Sequence, residues 1–291
     1  MLSPRNTTRR LARRALPAAI AAACALAAAP VFAAPAPASA SALAAPASAA
    51  PALAASTVDV ISVKGVISPI VLDQIEEGIS RATDDRRAAL LVELDTPGGL
   101  DPSMRSIVQA ILASKVPVII YVAPTGARAA SAGLFLVTAA HVAAMAPSTN
   151  LGAASPVFFG GGPPDSTLAH KAMNDAAAFI ETLARERGRN AAWDVRAVRE
   201  AIATSEKDAV SLHIVDFVAT DVADVLRQAS GRTVSVAGKP VTLALAGATV
   251  NRIVPSWRIR VLSGITDPTV AYVLFNLGGL GLVFELSNPT R

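Results

Sequence analysis

Ser131 lies in the run Arg128-Ala129-Ala130-Ser131-Ala132-Gly133, Lys171 follows forty residues later, and Asp95-Thr96-Pro97-Gly98-Gly99 lies upstream. A serine flanked by small residues suits a tight strand-to-helix turn. At a helix N-terminus, free N–H groups and the backbone dipole favour an alkoxide and a developing oxyanion. The N–H of Ala132, with that of Gly98 or Gly99, would form the hole. Serine attacks poorly until a base takes its proton. The chain offers three histidines, His141, His170 and His213. His141 follows Ser131 by ten residues on one predicted helix, ~15 Å away. His170 points about 100° away from its neighbour Lys171 on a helix, and His213 sits in an apolar run beside Ile214. None suits a Ser-His-Asp triad.

A lysine can replace histidine as base where desolvation or a nearby positive charge lowers its pKa from ~10.4 toward neutrality. Of the five lysines (Lys64, Lys115, Lys171, Lys207, Lys239), Lys171 stands three residues after Leu168. That is the edge of a helical apolar stripe, where its head can be held in a dry place. Asp175, one turn on, works against this. Each piece also has a plain structural reading: Ala-Ser-Ala-Gly as a helix N-cap, Pro-Gly-Gly as a turn, Lys171 as a solvated helix residue.

The elements that must position these residues alternate. Strands are predicted at Val58–Val63, Ala88–Leu94, Val116–Val122 and Val142–Met145, and helices at Ser68–Ala82, Pro102–Ala113 and Ser131–Ala140, with Pro124–Arg128 a loop. Such alternation predicts an α/β fold with a largely parallel sheet and flanking helices. Ligands of such folds sit beyond the carboxyl ends of the strands, where the Gly-Gly turn and Ser131 both fall. Phe158–Ser166 reads as a mobile loop. Leu168–Gly188 is a strong helix with Leu168, Ala172, Ala176, Phe179 and Leu183 on one stripe. Asp194–Thr204 is a further helix, and Ser205–Val215 a short third element. Residues 57–221 form the main domain, residues 222–266 a β-rich appendage with a hairpin within Ser230–Val254, and residues 267–291 a candidate transmembrane segment and tail. Thr269–Leu286 is apolar and, at ~1.5 Å per residue, just long enough to cross a bilayer core.

The N-terminal end addresses compartment. Basic residues precede an apolar run from Leu16 to Ala29 and the small-residue site Val31-Phe32-Ala33, the pattern of a signal peptide over residues 1–33. Arg9-Arg10 also permits a twin-arginine reading. Residues 34–56 are almost wholly Ala, Pro and Ser and read as a flexible linker. Five of the 26 basic residues lie before residue 34, leaving 21 against 22 acidic ones. That near-neutral balance gives no reason to expect nucleic acid. The single cysteine, Cys24, falls in the signal. Lipid attachment there has a poor lead-in, and a mature chain without a thiol excludes cysteine catalysis, disulfides and thiolate metal sites. The signal places the domain outside the cytoplasm; with only Arg291 beyond the span, charge bias orients it little.

The runs Asp95–Gly99, Gly126–Gly133, Ala144-Met145-Ala146-Pro147, Lys171 before Asn174-Asp175-Ala176, Arg187-Gly188-Arg189-Asn190, Asp267-Pro268-Thr269 and Glu285–Pro289 together resemble the NfeD-type membrane-bound ClpP-class serine proteases. The resemblance covers residue 57 to the end. It implies a ClpP/crotonase-like fold, no cofactor, no metal, and cleavage of hydrophobic peptide segments by a Ser-Lys dyad. By position, Ser131 would be the nucleophile and Lys171 the general base, with Gly98, Gly99 and Ala132 lining the oxyanion hole. It also implies a stomatin-like membrane partner; with the signal peptide and the candidate span, the expected place is the bacterial inner membrane, facing the periplasm. A homo-oligomer, dimer or larger, is expected. Full-length members continue into several spans, and His213 stands where a small or polar residue is expected. Two rivals remain: a crotonase-type acyl-CoA enzyme, which export disfavours, and a non-catalytic scaffold for a membrane partner.

Overall fold

The computed structural model describes residues 56–158, 166–254, 256–265 and 268–287. The expected signal peptide, Cys24, the linker up to residue 55 and most of the Phe158–Ser166 loop lie outside them. The described elements, in chain order, are β1 (Thr57–Lys64), α1 (Pro69–Asp84), β2 (Ala89–Asp95), α2 (Asp101–Ala113), β3 (Val118–Val122), β4 (Arg128–Ala130), α3 (Ala132–Ala139), β5 (Val142–Met145) and β6 (Asn150–Gly152). There follow α4 (Ser166–Glu186), α5 (Ala191–Arg199), β7 (Ala203–Ser205), α6 (Glu206–Ser211), β8 (Phe217–Val218), α7 (Val222–Ala229), β9 (Thr233–Val236), β10 (Lys239–Thr242), β11 (Thr249–Arg252), α8 (Trp257–Ile265) and α9 (Pro268–Ser287).

Six strands form one parallel sheet in the order β11-β1-β2-β3-β5-β8. The near-continuous apolar runs of its central strands are those of a sheet covered on both faces. Side chains alternate across it. Ile61, Val63, Leu90, Val92, Leu94, Val118, Ile120 and Val122 enter one core with α1 to α5. Val58, Val60, Ala89, Leu91, Ile119 and Tyr121 enter a second core, closed by Val225, Leu226 and Leu245. β4, β6 and β7 form a second, three-stranded sheet whose β4 runs beside the turn after β2, and β9 and β10 pair as a hairpin.

Three boundaries differ from expectation. Arg128 is no loop end but the first residue of β4, which pairs with β6. The helix expected over Asp194–Thr204 stops at Arg199, and Ala203–Ser205 instead pairs antiparallel with β6. The segment after Asp221 is no separate β appendage: α7 closes the second core, and β11 is an edge strand of the main sheet, paired in parallel with β1. The hairpin within Ser230–Val254 is present as β9–β10. His213 has φ 57°, a left-handed position that favours glycine or asparagine, which accounts for the small or polar residue expected there.

Candidate active site

Backbone hydrogen bonds stitch the turn after β2 to its neighbours. Thr96 N–H donates to Arg128 O (2.7 Å) and Ala130 N–H to Thr96 O (3.1 Å), so the turn runs beside β4. On its other side Ile67 N–H donates to Gly98 O (2.8 Å) and Leu100 N–H to Ile67 O (2.9 Å). Only glycine fits at Gly99, because a Cβ there would lie 2.1 Å from Ile67 O and 2.5 Å from Ile67 N. Gly98 has φ +117°, and its Cβ would fall 2.6 Å from the Cβ of Ser131. The Gly-Gly turn is thus pressed against the serine, held by backbone bonds to Ile67, Arg128 and Ala130.

Ser131 caps α3 with φ 53° and ψ −117°. A non-glycine residue in so sparsely populated a region is held there by its surroundings. The surroundings are visible: Ser131 N–H donates to Gly152 O (2.9 Å), and Leu134 N–H donates to Ser131 O (3.0 Å). No capping bond engages the Ser131 hydroxyl. At the start of α3 the first N–H groups have no intrahelical acceptor. Among the described residues, neither Gly99 N–H nor Ala132 N–H has an acceptor, whereas Gly98 N–H donates to Thr96 Oγ1 (3.0 Å). Gly99 and Ala132 therefore supply the free donor pair, and Gly98 shapes the loop that carries it.

These residues line a cleft of about 710 Å³ whose walls include Val66, Leu100, Met104, Phe135, Ala154, Val157, Phe158, Ala172 and Ala176. Its charged wall joins the three helices around it. Arg105 of α2 pairs with Asp101 (3.0 Å) and with Asp175 of α4, and its guanidinium lies 4.6 Å from the ring centre of Phe179. Phe179 in turn stacks on Phe135 of α3 at 5.9 Å.

Lys171 sits on α4 next to the cleft, but it is exposed and is not among the lining residues. The cleft-facing residues of α4 are Ala172, Asp175 and Ala176; at 100° per residue Lys171 flanks that stripe, about 40° from Asp175. The dry setting expected for its head is absent here. The expected opposition from Asp175 is also altered, because that carboxylate is engaged by Arg105. Lys171 has no ion-pair or hydrogen-bond partner among the described residues.

The histidines are not arranged as bases for Ser131. His141 is buried, its Nδ1 accepts Val118 N–H (3.1 Å), and burial, with Arg187 beside it, holds its pKa down to about 4. His170 and His213 are exposed and do not line the cleft. Beneath α3, Thr138 donates to the fully buried carboxyl of Asp194 (3.3 Å), whose pKa burial raises to about 7 against the opposing pull of Arg189. Among the described residues no cluster of three or more His, Cys, Asp or Glu converges as a metal site.

Sequence reasoning missed Thr96, Gly133 and Arg105. Thr96 carried a signal, since a threonine two residues before a glycine can fold its hydroxyl back on the turn. Arg105 also had one, as the i,i+4 partner of Asp101.

A relative named Membrane-bound protease PH1510, from Pyrococcus horikoshii, is 37% identical over 237 residues, covering 80% of this chain and 53% of the relative. Membrane protein NfeD1b of Bacillus subtilis is 25% identical over 233 residues, covering 80% and 52%. The chain thus spans about half the length of the curated relatives it matches. Among solved structures, a lysine-to-alanine mutant of the 1510-N membrane-bound stomatin-specific protease, in complex with a substrate peptide, superposes with TM-score 0.68 at 35% identity. It covers 74% of this chain and 100% of that one. A serine-to-alanine mutant of the same protease gives TM-score 0.65 at 36% identity, over 70% and 100%. The family described as NfeD1b, N-terminal domain, matches residues 57–250. With two thirds of its length matched, this chain belongs to the NfeD1b family through that domain.

Proposed function

We propose that the chain is a membrane-anchored serine endopeptidase that cleaves apolar peptide segments on the extracytoplasmic side of the membrane. The observation that carries this is a single arrangement. Ser131 is held at positive φ with a hydroxyl free of capping, on the wall of an apolar cleft that also presents the unpaired N–H groups of Gly99 and Ala132. The hydroxyl oxygen attacks the scissile carbonyl as its proton passes to Lys171 Nζ. The carbonyl oxygen becomes an oxyanion held by the two N–H groups, where each donor contributes about 3–4 kcal/mol to the transition state. The C–N bond then breaks, the proton moves from Lys171 to the departing amine, and water releases the acyl group by the same route. Reaching Ser131 requires the Lys171 side chain to turn into the cleft past Ala172. With Asp175 bound to Arg105, no carboxylate among the described residues holds the amine outside.

The apolar walls fit hydrophobic side chains on the substrate. The specificity named for the Pyrococcus protease, a stomatin homologue, points to a stomatin-like membrane protein as substrate or partner. The helix α9 is the anchor. Its twenty residues rise about 30 Å, the thickness of a bilayer core, and its window Val270–Ser287 has mean hydropathy 1.6 and no burial. The signal peptide sets the domain outside, in the periplasm of a bacterium with two membranes.

The test is digestion of apolar peptides by the full chain, read by mass spectrometry. Ser131→Ala and Lys171→Ala are each expected to lower the rate at least about a thousandfold with unfolding midpoints unchanged. Full activity in either variant overturns the dyad. The exposure of Lys171 favours the rival reading of a non-catalytic scaffold. A serine-directed phosphonate decides between them, because covalent capture at Ser131 excludes an inert site.

A further inference from the structure

The short helix α8 leaves an apolar face exposed among the described residues. Ile259, buried, borders a crevice with Gln74, Glu77, Gly78 and Arg81 of α1. On the opposite side, Trp257, Val261 and Ile265 repeat every four residues and so fall within one stripe. They are 65%, 51% and 51% exposed. Exposed apolar patches of this kind mark an interaction surface. Three features select lipid as the occupant. Only residues 266 and 267 separate the end of α8 from the start of α9, so the two ends lie no more than about 10 Å apart. Tryptophan is the residue enriched at the headgroup level of bilayers. Finally, α8 carries Arg258 and Arg260 and no acid, and Arg258 lies over the Trp257 ring at 5.8 Å.

We propose that α8 lies in the membrane–water interface, with Trp257, Val261 and Ile265 in the acyl boundary and Arg258 facing anionic headgroups. This rests on α9 being the span. It also sets a substrate class. The crevice holding Ile259 reaches α1 at Gln74 to Arg81, and α1 begins three residues after Val66, on the rim of the cleft. That separation is about 8–18 Å along α1. A membrane-lying α8 therefore holds the cleft within one short helix of the lipid surface, where it meets apolar segments that emerge close to the bilayer.

The full chain, reconstituted in phosphatidylcholine–phosphatidylglycerol vesicles, carries two tryptophans, Trp193 in the core and Trp257 on α8. The emission lost in Trp257→Phe isolates Trp257. Lipids brominated along the acyl chain are expected to quench that emission several-fold more than aqueous iodide does. Quenching by iodide and not by bromolipid overturns the proposal. Shielding from both also overturns it and assigns the face to a second copy or another protein. Carbonate washing separates this from the anchor reading. A chain released by carbonate has no span, whereas a retained chain with iodide-accessible Trp257 loses only the α8 inference.

Discussion

Replacing Gly133 by alanine tests whether the serine turn and the Gly-Gly loop are packed as one unit. A Cβ on Gly133 would lie 2.6 Å from Thr96 Cγ2 and 3.3 Å from Ala129 Cβ. Thr96 is fully buried, and rotating its methyl away would break the contacts of Oγ1 with Gly98 N–H (3.0 Å) and Gly98 O (3.1 Å). The clash is therefore relieved by moving the first turn of α3 away from the loop, by about 1 Å to reach ordinary carbon contact. Overpacking of this size costs about 1–3 kcal/mol, offset by up to about 1 kcal/mol because alanine is the better helix former. A shift of about 1 Å between Ser131 and the oxyanion donors lowers peptide cleavage by about a hundredfold. Thr96→Ser removes the obstructing methyl and keeps Oγ1, at a cost of about 1 kcal/mol for the small void. In Thr96→Ser/Gly133→Ala the new methyl takes the vacated place. Urea unfolding and cleavage kinetics of the four proteins then form a cycle with a favourable coupling of about 1–3 kcal/mol. Strict additivity, with the double variant as weak as the two losses combined, refutes the idea that Thr96 transmits position between loop and nucleophile.

Gly99→Ala admits no such rescue, because the atoms it meets, Ile67 O and N, are backbone; it is expected to destabilise by at least about 2 kcal/mol and to abolish cleavage, and an active, stable variant contradicts the placement of this donor. Asp194 and His141 make opposed contributions to stability. Asp194 keeps its proton up to about pH 7 in the fold against 3.8 when unfolded, so its contribution falls through that window by on the order of 4 kcal/mol, while His141, lowered from 6.5 to about 4, contributes a rise. Asp194→Asn leaves only the rise, so its unfolding midpoint should gain on wild type from pH 5 to pH 7 and hold that gain above; a constant difference excludes the buried acid.

The main sheet was readable because its physics is local. Strands buried on both faces are short apolar runs, and Ala88–Leu94 and Val142–Met145 announce themselves by composition. The strand ends then put Ser131 and the Gly-Gly turn at one edge. The three-residue strands β4, β6 and β7 were not readable, because three residues show no period and their pairing comes from the partner. The pairing of β11 with β1 joins residues 192 apart, as in the bond from Asn251 to Asp59, and nothing near Thr249 in sequence signals it. The same limit applies to Gly98: composition marked a turn, but only the folded contact with Thr96 Oγ1 removes its N–H from the free donors. A fragment ending at Asp221 would therefore lack an edge strand and the α7 cover of the second core, so Arg252 is the earliest end for a cleavage assay on the domain alone.

The two halves of the site rest on scaffolds of different stiffness, and that difference has consequences for mutagenesis. Ser131, Gly99 and Ala132 are fixed by backbone contacts to Ile67, Thr96 and Gly152, each near or at the floor of exposure. Any change in that network alters fold and chemistry together. Lys171 is held only by the face of a helix, exposed and without a partner among the described residues. Substitution at an exposed site of this kind moves stability by no more than about 0.5 kcal/mol. Lys171→Ala should therefore separate activity from stability cleanly, whereas Gly99→Ala cannot. α4 packs on the rigid half through its buried face, Ala176, Ala177, Ile180 and Leu183, and beside the cleft Arg105 adds contacts to Asp175 and Phe179, and Phe179 to Phe135. Ser131 and the N–H groups of Gly99 and Ala132, the proposed nucleophile and oxyanion donors, are thus set by the fold. In the proposed mechanism the clamp between α2 and α4 positions only the helix that carries Lys171, so the step left for the bound peptide is to draw the lysine side chain inward.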